Sequence, residues 1–189
     1  MVVTEKEGAL GNLLAAYENE INAHARYKAF ARKAESEGLL RAATLFRAAA
    51  RAEQIHAGNH ARVIRHLGGD AHAEIRPFRV GTTLENLRSA VSGEQHEIDS
   101  LYPAFIQQAQ SRFNTTAARS FTWAMESEKS HAKLYSDAVK AFENREITHW
   151  TLADLELFVC TVCGYTAKTT EADNCPVCNF PWERFEVIH

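Results

Sequence analysis

From Glu5 to Asn144 the chain meets only two prolines, Pro77 and Pro103, and is dense in Ala, Glu, Leu, Arg and Lys. Such a stretch has high intrinsic helix propensity, and its apolar residues recur with the period of amphipathic helices. Four helices are expected, at roughly 5–35, 38–66, 83–111 and 115–143. The junctions ESEG and SRFNTT are short, so the first and second helices, and the third and fourth, form antiparallel hairpins. The middle junction differs. Residues 68–82 hold Gly68, Gly69, Pro77 and Gly81, and about 15 extended residues reach roughly 50 Å. A 28-residue helix is only about 42 Å long, so this segment can run the length of a bundle and make helices two and three parallel.

That long crossover is the connection of ferritin-like bundles. A chain of 189 residues, 46% hydrophobic, is large enough to bury a core. Its net charge of −3 is built from interspersed acids and bases, which argues against nucleic acid or an anionic membrane surface as partners. No apolar run approaches the ~20 residues of a membrane span, and MVVTEKEGAL lacks the layout of a signal peptide. A cytoplasmic location is therefore expected. After residue 150 the texture changes to short β-like and aromatic runs around four cysteines. The expected fold is an all-α ferritin-like four-helix bundle, residues 1–146, followed by a small β/loop metal domain, residues 147–189.

Every predicted helix aims carboxylate at the core. Glu128 and His131 share a face with Phe121, Ala124, Met125, Ala132, Tyr135 and Phe142, whereas Glu126 looks toward Lys129 and Lys133 as a surface acid. Glu53 and His56 lie on the stripe of Phe46, Ala49, Ala50, Ala57 and His60. Glu20 lies with Leu13, Ala16, Tyr17, Ala23, Tyr27 and Ala31. Glu94 and Glu97 lie with Leu87, Ala90, Val91, Ile98, Leu101 and Phe105. All these acids sit near mid-helix, so they converge at one depth whichever way the helices run. One inward Glu is explained by a buried salt bridge, but five are not, because desolvating each carboxylate costs several kcal/mol, on the order of 20 in the idealised limit, and the stripes carry few cations. Two divalent ions would supply the charge. One Glu from each of two helices plus ExxH from each of the other two is the dinuclear carboxylate template of four-helix bundles, and iron suits this mixed set. Glu97 is surplus to that template, an extra ligand able to compete with His56.

The tail FVCTVCGYTAKTTEADNCPVCNFPW sets Cys160, Cys163, Cys175 and Cys178 in a C-x2-C-x11-C-x2-C array. Four thiolates close a tetrahedral site without an open position, fit for carrying electrons or bracing a fold rather than for substrate chemistry. Iron is favoured beside the acidic bundle, although zinc suits four thiolates as well. Gly164 and Asn179 follow the second cysteine of each pair, where a metal-binding knuckle needs left-handed φ. Phe158, Tyr165, Phe180, Trp182 and Phe185 are expected to form the small domain's core.

Taken together, ENEINAHARY, EQIH, GEQHEIDSLYPAF, ESEKSH and the four-cysteine tail resemble the rubrerythrins over nearly the whole chain. The resemblance implies a diiron centre with a C-terminal rubredoxin-like domain holding one further iron. The implied activity is that of an NADH-linked peroxide reductase protecting against oxidative stress: the diferrous site gives two electrons to hydrogen peroxide and releases water. By analogy Glu53 and Glu128 bridge the irons, Glu20 and Glu94 are terminal ligands and His131 holds one iron. The other iron takes Glu97 when oxidised and His56 when reduced. Exchanging a carboxylate for a neutral imidazole on reduction keeps the net charge more nearly constant. The implied partners are an electron-donor reductase or rubredoxin and a second copy of the chain, in a head-to-tail homodimer. The family usually has Gly where this chain has Asn179, a departure expected to act on hydrogen bonding around sulfur and not on ligation.

Tyr27 and Tyr102, about two turns from Glu20 and Glu94, are candidate catalytic donors to the site's carboxylates or to bound peroxide. His24 and His60 each lie one turn from a proposed ligand and are expected to pack beside the site rather than to ligate; His66, His72, His96, His149 and His189 are expected at the surface. Two other classes are compatible with parts of the pattern. A ferroxidase would use the same six-ligand core with dioxygen, against which Glu97 and the four-cysteine tail argue. A zinc-braced binding module would be silent toward peroxide.

Overall fold

A computed structural model of the chain describes residues 5–144, 150–152, 155–169 and 173–189, the side chains of residues 5–7 excepted. The helices are α1 (Glu5–Ser36), α2 (Leu40–His66), α3 (Thr83–His96), α4 (Tyr102–Ser111) and α5 (Thr115–Glu143). A π-helical turn, Glu97–Leu101, joins α3 to α4, so these two continue one rod and the bundle has four.

The crossover runs as its length allows. Gly69 lies against Leu10, near the start of α1. In the middle of α1, Asn22 donates to the carbonyl of Glu74 at 3.0 Å and accepts from the backbone N–H of Arg76 at 2.7 Å. At the far end, the N–H of Thr83 donates to Glu37 at 3.0 Å. The segment thus returns along α1, and α3 starts at the same end as α2. A capping box at Thr82 and Glu85 opens α3, satisfying N–H groups that the first turn leaves without partners.

The π-turn corrects the reading of the third helix. Pro103 has no N–H for the carbonyl four residues earlier, and the ladder loosens there, with the N–H of Tyr102 bonded to the carbonyl of Glu97, five residues back. The extra residue shifts the inward stripe by one position. Leu101, expected inward, is only half-buried, and Tyr102 is fully buried in its place.

The small C-terminal unit is a three-stranded sheet of order β2-β1-β3, made by β1 (Leu157–Cys160), β2 (Thr166–Ala167) and β3 (Phe185–Ile188), all antiparallel. Its β1 residues Leu157 and Val159 join the apolar core of the bundle. The cysteine cluster is covered by Tyr165 and Phe185, as expected, and also by Trp123 from α5. Phe180 is 42% exposed and does not belong to that core. Gly164 and Asn179 both have left-handed φ, 86° and 60°, as the knuckles require. Among the described residues no helix is long and apolar enough to cross a membrane.

Candidate metal centres

Mid-bundle, Glu20, Glu53, Glu94 and Glu128 are each no more than 1% exposed. They assemble with the two histidines into two overlapping groups: Glu20, Glu53, His56 and Glu128, and Glu53, Glu94, Glu128 and His131. Within each group the ligand atoms lie within 4.8 Å of one another. Glu53 and Glu128 belong to both. The i, i+3 spacing of each ExxH motif brings Nδ1 of its histidine onto its own glutamate, at 2.8 Å for His56 and Glu53 and at 2.6 Å for His131 and Glu128.

The donor set fits a pair of cations. Oε2 of Glu20, Oε1 of Glu53 and Oε1 of Glu128 are buried without a hydrogen-bond partner; the last lies 2.8 Å from Nδ1 of His56 without hydrogen-bond geometry. Burial, reinforced by the neighbouring carboxylates, pushes Glu53 and Glu94 well above the ordinary carboxylate range. Burial works the same way on Glu128, but His56 and His131 outweigh it and hold that carboxyl well below the range. Orphaned buried oxygens crowded by like charge are what metal ions resolve.

Glu97 is buried in the π-turn one turn beyond Glu94, but it belongs to neither group: its Oε1 accepts from Nδ2 of Asn19 at 2.7 Å. His56 occupies the place beside the shared carboxylates. Asn19 also lines a surface cavity of about 390 Å³ with Arg26, Arg76 and Leu101, so a single side chain separates Glu97 from that recess. Each tyrosine reaches across to the opposite pair. Tyr27 donates to Glu94 at 2.5 Å, and Tyr102 donates to Glu20. Burial first, then the adjacent carboxylates, raise both phenols well above their usual value, which keeps them protonated as donors. His24 is tied to the carbonyl of Ala50 and His60 to Ser120 and Tyr102, so neither joins a ligand group. Among the expected surface histidines, His66, His72, His96 and His189 are exposed, and His149 lies outside the described residues.

The four cysteines form a third group within 4.8 Å, with Sγ separations of 3.6 Å for Cys160 and Cys178 and 3.5 Å for Cys163 and Cys175. A tetrahedral site with metal–sulfur bonds near 2.3 Å has edges of about 3.8 Å, so the cluster fits one ion with little adjustment. Hydrogen bonding with Cys160 and Cys175, then burial, raises the Cys163 thiol far above its ordinary value, a proton that a bound cation displaces.

Sequence reasoning did not find how the two centres meet. The first knuckle lies on the bundle, where Nε2 of His56 donates to the carbonyl of Cys163 at 2.9 Å and Nε2 of His131 faces Oγ1 of Thr166 at 3.1 Å and the carbonyl of Gly164 at 3.3 Å. Ser127 donates to the carbonyl of Cys163 and Asn59 to that of Val162, both at 2.8 Å. Each histidine thereby presents Nδ1 to the carboxylates with its tautomer fixed by the tail, the arrangement that orients metal-ligating imidazoles. Gly164 is required at the contact: a Cβ there would come within 2.8 Å of Cδ2 of His56 and closer still to Nε2. Gly164→Ala is therefore expected to break the bond between His56 and Cys163 and, by freeing that imidazole, to weaken metal binding in the bundle by about 10- to 100-fold. Metal titration of the bundle, compared with the unmodified chain, measures it.

The sequence model of the family described as "Rubrerythrin" matches residues 11–139, and that of "Rubrerythrin, rubredoxin-like domain" matches residues 158–186. Rubrerythrin-2 of Clostridium acetobutylicum is 35% identical over 178 residues, covering 93% of this chain and 94% of that one. Nigerythrin of Nitratidesulfovibrio vulgaris is 34% identical over 190 residues, covering 97% and 90%. A structure of nigerythrin in a mixed-valence state superposes with a TM-score of 0.84 at 34% identity, over 95% of this chain and 86% of that one. A bacterioferritin structure at 21% identity, with a TM-score of 0.70, shares the fold of the bundle. With carboxylates and histidines gathered for a diiron centre and four cysteines for a rubredoxin-type iron, the chain belongs to the rubrerythrin family.

Proposed function

We propose that this chain is a cytoplasmic peroxide reductase protecting against oxidative stress. Electrons from NADH reach its tail through an external reductase or rubredoxin, cross to the bundle and reduce hydrogen peroxide to water. The observation that carries this reading is the tie from His56 and His131 to the cysteine knuckle, which sets the electron-carrying tail against residues of the two-metal group. When bound, an iron pair would supply the two electrons that peroxide plus two protons consume in giving two waters, and Cys160, Cys163, Cys175 and Cys178 would hold a one-electron carrier able to replace them.

The residue roles are part of the proposal. Glu53 and Glu128 would be shared by the two metals, Glu20 and Glu94 would each hold one, His131 would serve one metal, and His56 and Glu97 would alternate on the other. The place of His56 beside the shared carboxylates, with Glu97 held aside by Asn19, supports the alternation. Tyr27 and Tyr102 hold protonated O–H groups on terminal carboxylates, where they orient those ligands and offer donors to an incoming oxidant. The bundle and tail are assigned to residues 1–146 and 147–189. The proposed assembly is a head-to-tail homodimer. The connection through residues 145–149 and 153–154 lies outside the described residues, and exchange of tails would present the same knuckle surface to the other subunit's bundle.

The test is steady-state turnover of iron-loaded protein with NADH and a reductase. One NADH consumed per peroxide supports the proposal. Negligible peroxide consumption, with ferrous iron oxidised by dioxygen and stored well beyond the three sites, replaces it with the ferroxidase.

A further inference from the structure

Peroxide reduction needs two protons delivered to a site whose carboxylates are essentially inaccessible to solvent, and the residues described so far bring none in. A line of hydrogen bonds enters the bundle one turn along α2 from the tail's contact with His56, beside Asn59 and Trp123. It begins at Ser120, 6% exposed, on the wall of a surface cavity of about 180 Å³ lined also by Arg62, His66, Thr116 and Arg119. Oγ of Ser120 lies 2.8 Å from Nδ1 of His60. Nε2 of the same imidazole lies 3.3 Å from the hydroxyl of Tyr102, and that hydroxyl donates to Oε1 of Glu20. His60 and Tyr102 are wholly buried, so no water is needed to complete the line.

The directions along the line agree. Tyr102 donates its proton to a carboxylate, so its oxygen is free to accept from Nε2–H of His60. With Nε2 protonated, Nδ1 of a neutral imidazole is an acceptor, which Ser120 satisfies with its O–H. Burial lowers the basicity of His60 below that of an ordinary imidazole, consistent with the neutral form this polarity requires. A phenylalanine or leucine would fill the place of His60 against the rings of Phe121 and Tyr102, 5.4 and 6.1 Å away, but would make neither of its two hydrogen bonds, to Ser120 and to Tyr102. The imidazole is therefore unexplained by packing.

We propose that Ser120, His60 and Tyr102 form a proton relay from the Arg62–Arg119 cavity to the Glu20 edge of the metal site. The inference rests on the peroxide-reductase reading for its purpose, not for its geometry. In one passage Tyr102 releases its proton inward and takes the Nε2 proton of His60. His60 takes the Ser120 proton on Nδ1, and Ser120 is reprotonated by water in the cavity. The net result is one proton moved inward and the imidazole left in its other tautomer, which a reorientation of the ring and the hydroxyls resets. Two passages supply the protons for one peroxide, and the electrons come from the tail's reductant. Imidazole shuttles protons this way because its two nitrogens exchange donor and acceptor roles.

The test uses two readouts on the full chain. In zinc-loaded, ¹⁵N-histidine-labelled protein, which is redox-silent, NMR is expected to show His60 as the neutral Nε2–H tautomer. Exchange of that proton with solvent is expected to slow at least about tenfold in Ser120→Ala, which removes the relay's outer member. In iron-loaded protein, Ser120→Ala and His60→Gln are expected to lower peroxide turnover at least about tenfold and to raise the solvent deuterium isotope effect, with metal content and melting temperature unchanged. Glutamine keeps hydrogen bonds to both neighbours but cannot exchange its donor and acceptor ends, so a merely structural His60 would leave turnover intact. The Nδ1–H tautomer, or exchange indifferent to Ser120→Ala, overturns the relay. If exchange behaves as expected but even the unmodified chain consumes no peroxide, the relay stands and the peroxide-reductase reading fails.

Discussion

Replacing Glu128 by alanine is expected to strip the bundle of both metal ions at once while leaving the tail iron in place. Glu128 belongs to both ligand groups, with Oε2 at 2.6 Å from Nδ1 of His131 and Oε1 at 2.8 Å from Nδ1 of His56. Its loss removes an anionic oxygen from each metal and leaves Glu53 as the one carboxylate common to both groups. Peroxide turnover should fall by well over about 100-fold, the most that losing even an outer partner of a metal ligand commonly costs. The visible absorption of the four-thiolate iron should persist, because Cys160, Cys163, Cys175 and Cys178 depend on Glu128 for nothing. Glu97→Ala provides the contrast: as a member of neither group it should keep both metals in the reduced protein and lose affinity on oxidation. Metal analysis after desalting reads all three outcomes.

The second large effect is an inversion in how stability responds to pH. In the metal-free chain Glu53, Glu94 and Glu97 are raised well above the ordinary carboxylate value, by burial first and neighbouring carboxylates second. Burial would lower His56, but the charge of the adjoining Glu128 carboxylate outweighs it and raises that imidazole too. Groups with raised folded-state values bind protons more tightly folded than unfolded. Their contribution is fully present below the unfolded value, near 4.5 for the glutamates and 6.5 for His56, and is lost as pH rises through the folded one. Glu128 is shifted the other way, so its contribution is lost only below the ordinary carboxylate range. Between about pH 5 and 8 the metal-free protein should therefore lose stability at roughly 1.4 kcal/mol per pH unit for each proton retained. The iron-loaded protein should gain over the same interval, because metals bind the deprotonated ligands and release those protons. Calorimetric melting at several pH values, with and without chelator, checks the crossing; parallel slopes would contradict it.

How much of this was legible in the chain depended on whether the information was periodic. On α1, α2 and α5 the inward stripes were read directly, because a fixed 3.6-residue period places Glu20, Glu53, His56, Glu128 and His131 among residues that are in fact buried. The same rule failed in the third rod past Glu97. It aimed Leu101 at the core, whereas the π-turn next to Pro103 inserts a residue and delivers Tyr102 instead. A period cannot announce its own interruption, although the proline was a local signal that the ladder would loosen. The exchange between Tyr27 and Glu94, and between Tyr102 and Glu20, was half visible: the residues were identified, but which carboxylate each would reach depends on how helices face one another. The contacts that join the centres were not visible at all. Asn59, Ser127 and the carbonyl of Cys163 come from segments about 40 to 100 residues apart, and the carbonyl is backbone, common to every residue type. Ser120 and Asn19 escaped for the same reason, since a serine or asparagine at a helix face has no meaning until its partner is known.

The central claim is that the tail feeds a two-electron site built for peroxide. Its most direct test is stopped-flow absorbance on anaerobically reduced, iron-loaded protein, mixed first with hydrogen peroxide and separately with dioxygen. The account predicts fast oxidation of the bundle irons by peroxide, with the colour of the four-thiolate iron following as it passes its electron inward, and slow reoxidation of both by dioxygen. Faster oxidation by dioxygen than by peroxide would contradict it in favour of a ferroxidase. Failure of the four-thiolate colour to appear, in protein whose iron content is verified, would contradict the role given to the tail.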